Sequence, residues 1–164
     1  MLKLHKFNSF AREMKLEDEI KQNKKFKSEH QKLAVNIMFT SSWLYRTHGQ
    51  FLKCFGLSPE QFNVLRILRG QHPNCANNQL ISERMIDKSS NSSRIVEKLK
   101  QKSLVERKEN KNDRRHVDIT ITQKGLDLLQ KIDNAENKSI DDIKNNISVK
   151  DAEVLNDLLD QLRG

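Results

Sequence analysis

The chain has 164 residues, of which 35% are hydrophobic and 32% charged, with a formal net charge of +8. That length suits one domain, and the apolar share suffices for a modest core that oligomerisation would complete. No apolar run approaches the roughly 18–20 residues a membrane span needs, and the charged N-terminus has no apolar signal core.

The charge is unevenly placed: a net of +4 over residues 1–32, +2 over 33–83, +6 over 84–116 and −4 over 117–164. A basic middle followed by an acidic tail implies a contact surface for a polyanion joined to a separate assembly element, although solvated helix faces would give the same totals.

Residues 9–27 are charged, with weak apolar spacing, and predict a loosely docked arm. From Ser28 to about Phe55, Leu33, Ile37, Trp43, Leu44, Phe51 and Phe55 recur at helical spacing. Val35, Met38 and Phe39 add apolar character on other sides, as in a helix buried in a core or against a partner chain. Gly56 ends it. Ser58-Pro59-Glu60-Gln61 is a clear start signal, with Ser at the cap, Pro at the first helical position and Gln three residues after the cap. The helix it opens carries Phe62, Leu65, Ile67 and Leu68 and runs to about Gly70, before His72-Pro73-Asn74 breaks the chain.

Asn77 to Met85 predicts a short helix with Leu80, Ile81 and Met85 inward. After a tight turn, Lys88 to Lys102 predicts another, with Ile95, Val96 and Leu99 as its apolar stripe. The period then changes to that of strands over residues 104–107 and 116–121, with the polar turn residues 109–113 between them. Thr122 is expected to cap one long helix carrying Leu128, Leu129, Ile132, Ile140, Ile143 and Ile147. Ser148 to Asp151 then starts a last helix striped by Leu155, Leu158, Leu159 and Leu162.

Two short helices joined by a tight turn and followed by a basic hairpin describe a winged helix-turn-helix. In that arrangement the second helix must enter a major groove about 12 Å wide with its N-terminal residues toward base edges. Ser89, Ser90, Asn91, Ser93 and Arg94 supply hydrogen-bonding groups on what the spacing makes the first two turns of that helix. Asn suits the adenine edge and Arg suits guanine. Lys98, Lys100 and Lys102 continue with positive charge. A solvated Ser-rich loop is the plainer alternative, but the stripe of Ile95, Val96 and Leu99 begins without a gap. At the hairpin tip Lys111, Arg114 and Arg115 form a second cationic probe, suited to a narrow minor groove. Asp113 is placed to hold the Arg115 guanidinium in one rotamer, or else forms an ordinary surface ion pair with it.

Residues Asp113 to Gly125 (DRRHVDITITQKG) resemble the wing signature of the multiple antibiotic resistance regulator (MarR) family, D-x-R, a strand, then L-T-x-x-G. Residues 82–107 are similar to its buttress helix, recognition helix and first wing strand, and residues 58–65 to its second helix. The resemblance covers about residues 30–164. It implies a mainly α fold with a small β-hairpin wing. A charged arm would occupy 1–27, dimerisation helices 28–57 and 122–164, and a DNA-binding winged lobe 58–121, intertwined as one domain. It further implies a homodimeric regulator of transcription, expected to be a repressor acting on a pseudo-palindromic operator in double-stranded DNA. Ser89, Ser90, Asn91, Ser93, Arg94 and Lys98 would lie at the major groove, Arg115 in the minor groove with Lys111 and Asp113 beside it, and Arg114 on phosphate. The sequence departs from the family pattern at Ile86-Asp87-Lys88, where Asp87 is a candidate N-cap. It departs again at Ser92, where a β-branched apolar residue is common, so looser packing of the recognition helix is expected.

Many members of the family bind an anionic aromatic effector, and Trp43, Tyr45, Arg46 and His48 are the candidate pocket residues here, with core packing and surface solvation as alternatives. The reactive cysteine of peroxide-sensing members falls at Ala34 in a gap-free register. Cys54 and Cys75 make neither a CxxC pair nor a metal-ligand cluster; thiol sensing by either competes with plain packing or exposure. The chain carries no GxxxxGK[ST], GxGxxG or HExxH motif, and its five histidines are scattered. No catalytic residues, metal or cofactor are therefore expected, and the cytoplasm is the expected compartment. A winged-helix module that docks on protein is the rival class, disfavoured by the polar run at 89–94 because protein docking favours exposed aromatic or aliphatic anchors.

Overall fold

The computed structural model describes residues 15–109, 117–135 and 138–164, and the chain divides after Trp43 into two units. Among the described residues of the first, one helical turn, α1 (Leu16–Glu19), precedes the long α2 (Glu29–Lys53). Leu16 is buried, and Glu17 pairs with Lys32 at 2.6 Å. Leu33 and Met38 on this stretch of α2 are exposed.

The second unit holds the end of α2, then α3 (Pro59–Gln71), α4 (Asn78–Arg84), α5 (Ser92–Gln101), β1 (Val105–Glu109), β2 (Val117–Ile121), α6 (Gln123–Asn134), α7 (Lys138–Asn146) and α8 (Val149–Arg163). Gly56, at φ +69°, lies between α2 and α3 in the left-handed region where glycine carries no steric penalty. Ser58 then caps α3 reciprocally: its Oγ accepts from Gln61 N, and Gln61 Oε1 accepts from Ser58 N. Asn77, Thr122 and Ser148 cap α4, α6 and α8, each side chain accepting a backbone N–H from the first turn.

The core joins α3, α4, α5, the hairpin and α6 through Val64, Leu65, Leu68, Ile81, Met85, Val96, Leu99, Ile119 and Leu129. Strands β1 and β2 pair antiparallel from Val105 opposite Ile121 to Glu109 opposite Val117. A further bridge ties Ala76, before α4, to Ile119 through two backbone hydrogen bonds of 2.9 and 2.8 Å. No strand periodicity in the sequence announces this third rung. Gly125 fills a tight junction between wing and α6: a Cβ there would lie 2.5 Å from the Leu104 carbonyl oxygen and 2.7 Å from Ile121 Cγ1.

Two boundaries differ from those the spacing predicts. The single helix expected from Thr122 to Ile147 is broken, because Ala135 takes an extended conformation at ψ 142°. The preceding Asp133 and Asn134 are weak helix formers, and Asp133 is held sideways by Arg69 of α3 at 2.5 Å. The helix expected from Lys88 instead starts at Ser92, with Asn91 as its cap. Otherwise the element order is that of a mainly helical winged helix-turn-helix with a small β-hairpin.

Candidate nucleic-acid interface

Helix α5 is built on a buried row of Ser92, Val96 and Leu99, which returns to the same face at spacings of four and three. Ser92 does not loosen this packing. Its hydroxyl lies 2.7 Å from that of Ser82 on α4, so one polar pair satisfies itself inside the helix–helix contact. Asn63 on α3 fixes the approach to α5, its Oδ1 accepting from Ile86 N at 2.9 Å. On the wing side, Arg107 of β1 donates to Glu97 of α5 at 3.0 Å, coupling the hairpin to the helix.

The opposite face of α5 presents Asn91, Arg94 and Lys98, again at spacings of three and four, with Ser93 beside them; all four are exposed. Ser89 is exposed and Ser90 half-buried, but neither lies on the helix as its spacing suggests. Asp87 explains why. Its carboxylate accepts from the Ser89 backbone at 2.9 Å, from the Ser89 hydroxyl at 2.7 Å and from the Ser90 hydroxyl at 3.0 Å. These bonds make an Asx turn that competes with helix. Asp87 is therefore the organiser of the preceding turn rather than the cap of α5. The Ser89 hydroxyl and backbone N–H, with the Ser90 hydroxyl, hold the Asp87 carboxyl below its ordinary value, so it is ionised at neutral pH.

Not every basic residue here faces outward for a ligand. Lys102 donates to the Gly56 carbonyl at 2.5 Å and to Gln61 Oε1 at 3.0 Å, tying the end of α5 to the start of α3. Lys111, Asp113, Arg114 and Arg115 lie outside the described residues, in the segment between the paired Glu109 and Val117.

The residues considered for an effector pocket fall along α2. Trp43 closes the first unit and is half-buried, and Arg46 is exposed. Tyr45 donates its hydroxyl to Glu60, and Ser58 donates to the other Glu60 oxygen at 2.7 Å. Partial burial opposes ionisation of Glu60, but these hydroxyls outweigh it and hold its carboxyl below the ordinary value. The same bond, then burial and the charges of Glu60 and Asp87, push the Tyr45 phenol up. His48 packs edge-on to Phe62 with ring centroids 5.4 Å apart, and burial lowers its pKa, which favours the neutral ring. Tyr45 and His48 are thus already engaged. Cys54 and Cys75 are free and exposed, and burial followed by the Asp118 carboxylate pushes the Cys75 thiol up, against thiolate formation. Among the described residues no His/Cys/Asp/Glu group is arranged to hold a metal, and no helix is long and apolar enough to cross a membrane.

A helix pair with a polar outer face, braced by a two-stranded wing, defines a winged helix-turn-helix protein. Its sequence agrees: the MarR family profile matches residues 57–117. MhqR of Bacillus subtilis, an HTH-type transcriptional regulator, is 33% identical over 106 residues, covering 63% of this chain and 70% of MhqR. The chain belongs to the MarR family of transcriptional regulators. PapX of Escherichia coli, also described as an HTH-type transcriptional regulator, is 24% identical over 65% of each chain, so the match spans just under two thirds of its length. Two solved structures share the fold. A MarR mutant from E. coli complexed with operator DNA superposes with a TM-score of 0.72 at 20% identity, over 85% of this chain and 99% of that one. An organohalide-sensing regulator, RdhR, in its 2,4-dichlorophenol-bound form, gives 0.74 at 19% identity, over 87% and 86%.

Proposed function

We propose that the protein is a homodimeric repressor that binds a pseudo-palindromic operator in double-stranded DNA through α5 and the wing. The observation that carries this reading is the two-sided build of α5. Ser92, Val96 and Leu99 anchor one face, while Asn91, Ser93, Arg94 and Lys98 stand exposed on the other. Such a face suits base edges and phosphates better than a protein partner, which would favour exposed aromatic or aliphatic anchors. The winged lobe over 58–121 is the reading unit, with Lys111, Arg114 and Arg115 of the wing reaching the minor groove and backbone and Asp113 orienting Arg115.

Support for the dimer comes from α8. No residue of that helix is buried, and Leu155, Leu158 and Leu162 form an exposed stripe, which a second copy would cover. The terminal segments 28–57 and 122–164 would serve as the assembly element, with the arm over 1–27 outside it. Release by a small anionic aromatic effector is the finer part of the proposal, favoured by the ligand-bound relative in the same fold. Arg46, exposed on α2, would supply the charge that such a ligand needs.

The test is a salt series on specific and random duplexes, the specific one recovered by sequencing genomic DNA captured with the purified protein. Affinity for both should fall with salt, with a wide gap between them. Arg94→Ala should cost about 1–3 kcal/mol on the specific duplex and relax preference at one base position. Equal binding to both duplexes at every salt concentration would sink the reading.

A further inference from the structure

We propose that Asp87 sets the hydrogen-bonding polarity of the turn entering α5, so that Ser89 and Ser90 meet DNA only as acceptors and read the amino groups of cytosine or adenine, while Asn91 meets it as a donor. The inference rests on the DNA-binding reading above and deepens it.

The direction of these bonds follows from valence. An ionised carboxylate has no proton to give, so each serine hydroxyl within its reach must be the donor. Asp87 takes the Ser89 proton at 2.7 Å and the Ser90 proton at 3.0 Å. A hydroxyl has one proton, and what it then offers outward is lone pairs. Phosphate oxygens also only accept, so neither hydroxyl serves the DNA backbone. In the major groove the complementary donors are cytosine N4 and adenine N6. The ionised Asp87 reinforces this, since its own charge repels phosphates while its fixed partners present acceptors to the bases.

Asn91 is the mirror case. Its Oδ1 accepts from Arg94 N at 3.0 Å as the cap of α5. A bidentate grip on adenine needs amide oxygen and nitrogen together, and here the oxygen is turned into the helix. Among the described residues the Asn91 amide nitrogen has no partner, which suits guanine O6 or N7, thymine O4 or a phosphate. The turn therefore reads as acceptor, acceptor, donor over three consecutive residues. Three uncharged serine and asparagine side chains alone would leave that order unset.

The probes are duplexes enriched from a random pool by the full-length protein, then resynthesised with bases lacking the exocyclic amino group: 2-pyrimidinone for cytosine and purine for adenine. At one or two positions per half-site, deletion of the amino group should weaken wild-type binding about tenfold. Asp87→Asn keeps an acceptor for the Ser89 backbone but brings a competing donor and removes a negative charge. It should bind random duplex a few-fold more tightly and respond less than twofold to amino deletion. The paired substitution Ser89→Ala with Ser90→Ala tests the hydroxyls without touching charge. It should lose the response to amino deletion without the shallower salt slope that removal of a phosphate contact brings. Uniform weakening on every duplex with a shallower salt slope would identify the serines as phosphate donors and overturn the proposal, as would equal sensitivity to amino deletion in wild type and both variants. A wild-type protein that enriches no motif defeats the DNA-binding reading itself, and this inference with it.

Discussion

The lobe around α5 and the terminal helix α8 differ in how their apolar residues are used. In the lobe, Val96, Leu99, Ile81 and Leu129 are all at 0% exposure, and the one polar side chain on the inner face of α5, Ser92, has its partner in Ser82. In α8 the leucines at 155, 158 and 162 are 45–58% exposed, although their spacing is as regular as that of any core helix. A helix of 15 residues gains most of its stability in water from packing an apolar face. The lobe is complete within one chain, whereas α8 has the pattern of a core element without a core. The outer face of α5 is polar and its inner row is packed, whereas the apolar stripe of α8 is left exposed.

The most forceful way to break that contrast is to charge the stripe. Leu158→Asp together with Leu162→Asp should convert a dimer into a monomer by sedimentation equilibrium. Affinity for a two-half-site duplex should fall by at least about a hundredfold, since one chain then engages one half-site without the gain from linkage. If α8 is bare in solution, the same pair lies on an exposed surface, where substitutions are usually within about 0.5 kcal/mol, and neither mass nor affinity will move.

A middle-sized effect tests the lobe. Gly125 sits where a Cβ would press on the Leu104 carbonyl oxygen, and that oxygen is held by Thr122 N at 3.1 Å. The backbone cannot retreat without losing this bond, so Gly125→Ala should destabilise the protein by about 1–3 kcal/mol, read as a lowered Tm. An unchanged Tm would show that the wing and α6 are less tightly fitted than their geometry indicates.

The caps of α3, α6 and α8, the strands and most of the order of elements are legible in the sequence because each has a local cause. Ser58 with Gln61, Thr122 before Gly125 and Ser148 before Asp151 are cap signals within four residues, and the hairpin declares itself by alternation. Features that depend on competition or on distance are not legible there. The spacing puts the start of α5 four residues early, because Ser89 and Ser90 fit a helix by spacing and are drawn out of it by Asp87. The break after Asn134 hides under a continuing apolar period. The bridge between Ala76 and Ile119 joins residues more than 40 positions apart through backbone alone, which no side-chain pattern encodes. For the site, the outward residues of α5 were legible, but the burial of Ser92 and the diversion of Lys102 into a structural tie were not, since each needs a partner from another helix.

The smallest effect concerns how α5 hands the chain to the wing. Its last turn closes as a Schellman motif: Ser103 N donates to Lys100 O at 2.8 Å and Leu104 N to Leu99 O at 3.0 Å, with Leu99 and Leu104 both buried. The motif requires a left-handed residue just beyond the helix, and here that residue is Ser103 at φ +60°. A side chain in that region costs about 1–2 kcal/mol that glycine does not incur. Glycine has more freedom to lose on folding, which offsets part of the gain. Ser103→Gly should therefore stabilise the protein by roughly 0.5–1 kcal/mol, measured as a raised Tm. DNA affinity should not change, because Thr122 Oγ1 holds the Ser103 carbonyl at 2.9 Å and pins the junction independently of the side chain. A gain in stability accompanied by weaker DNA binding would mean that the serine hydroxyl, rather than the backbone turn, sets the angle between α5 and the wing.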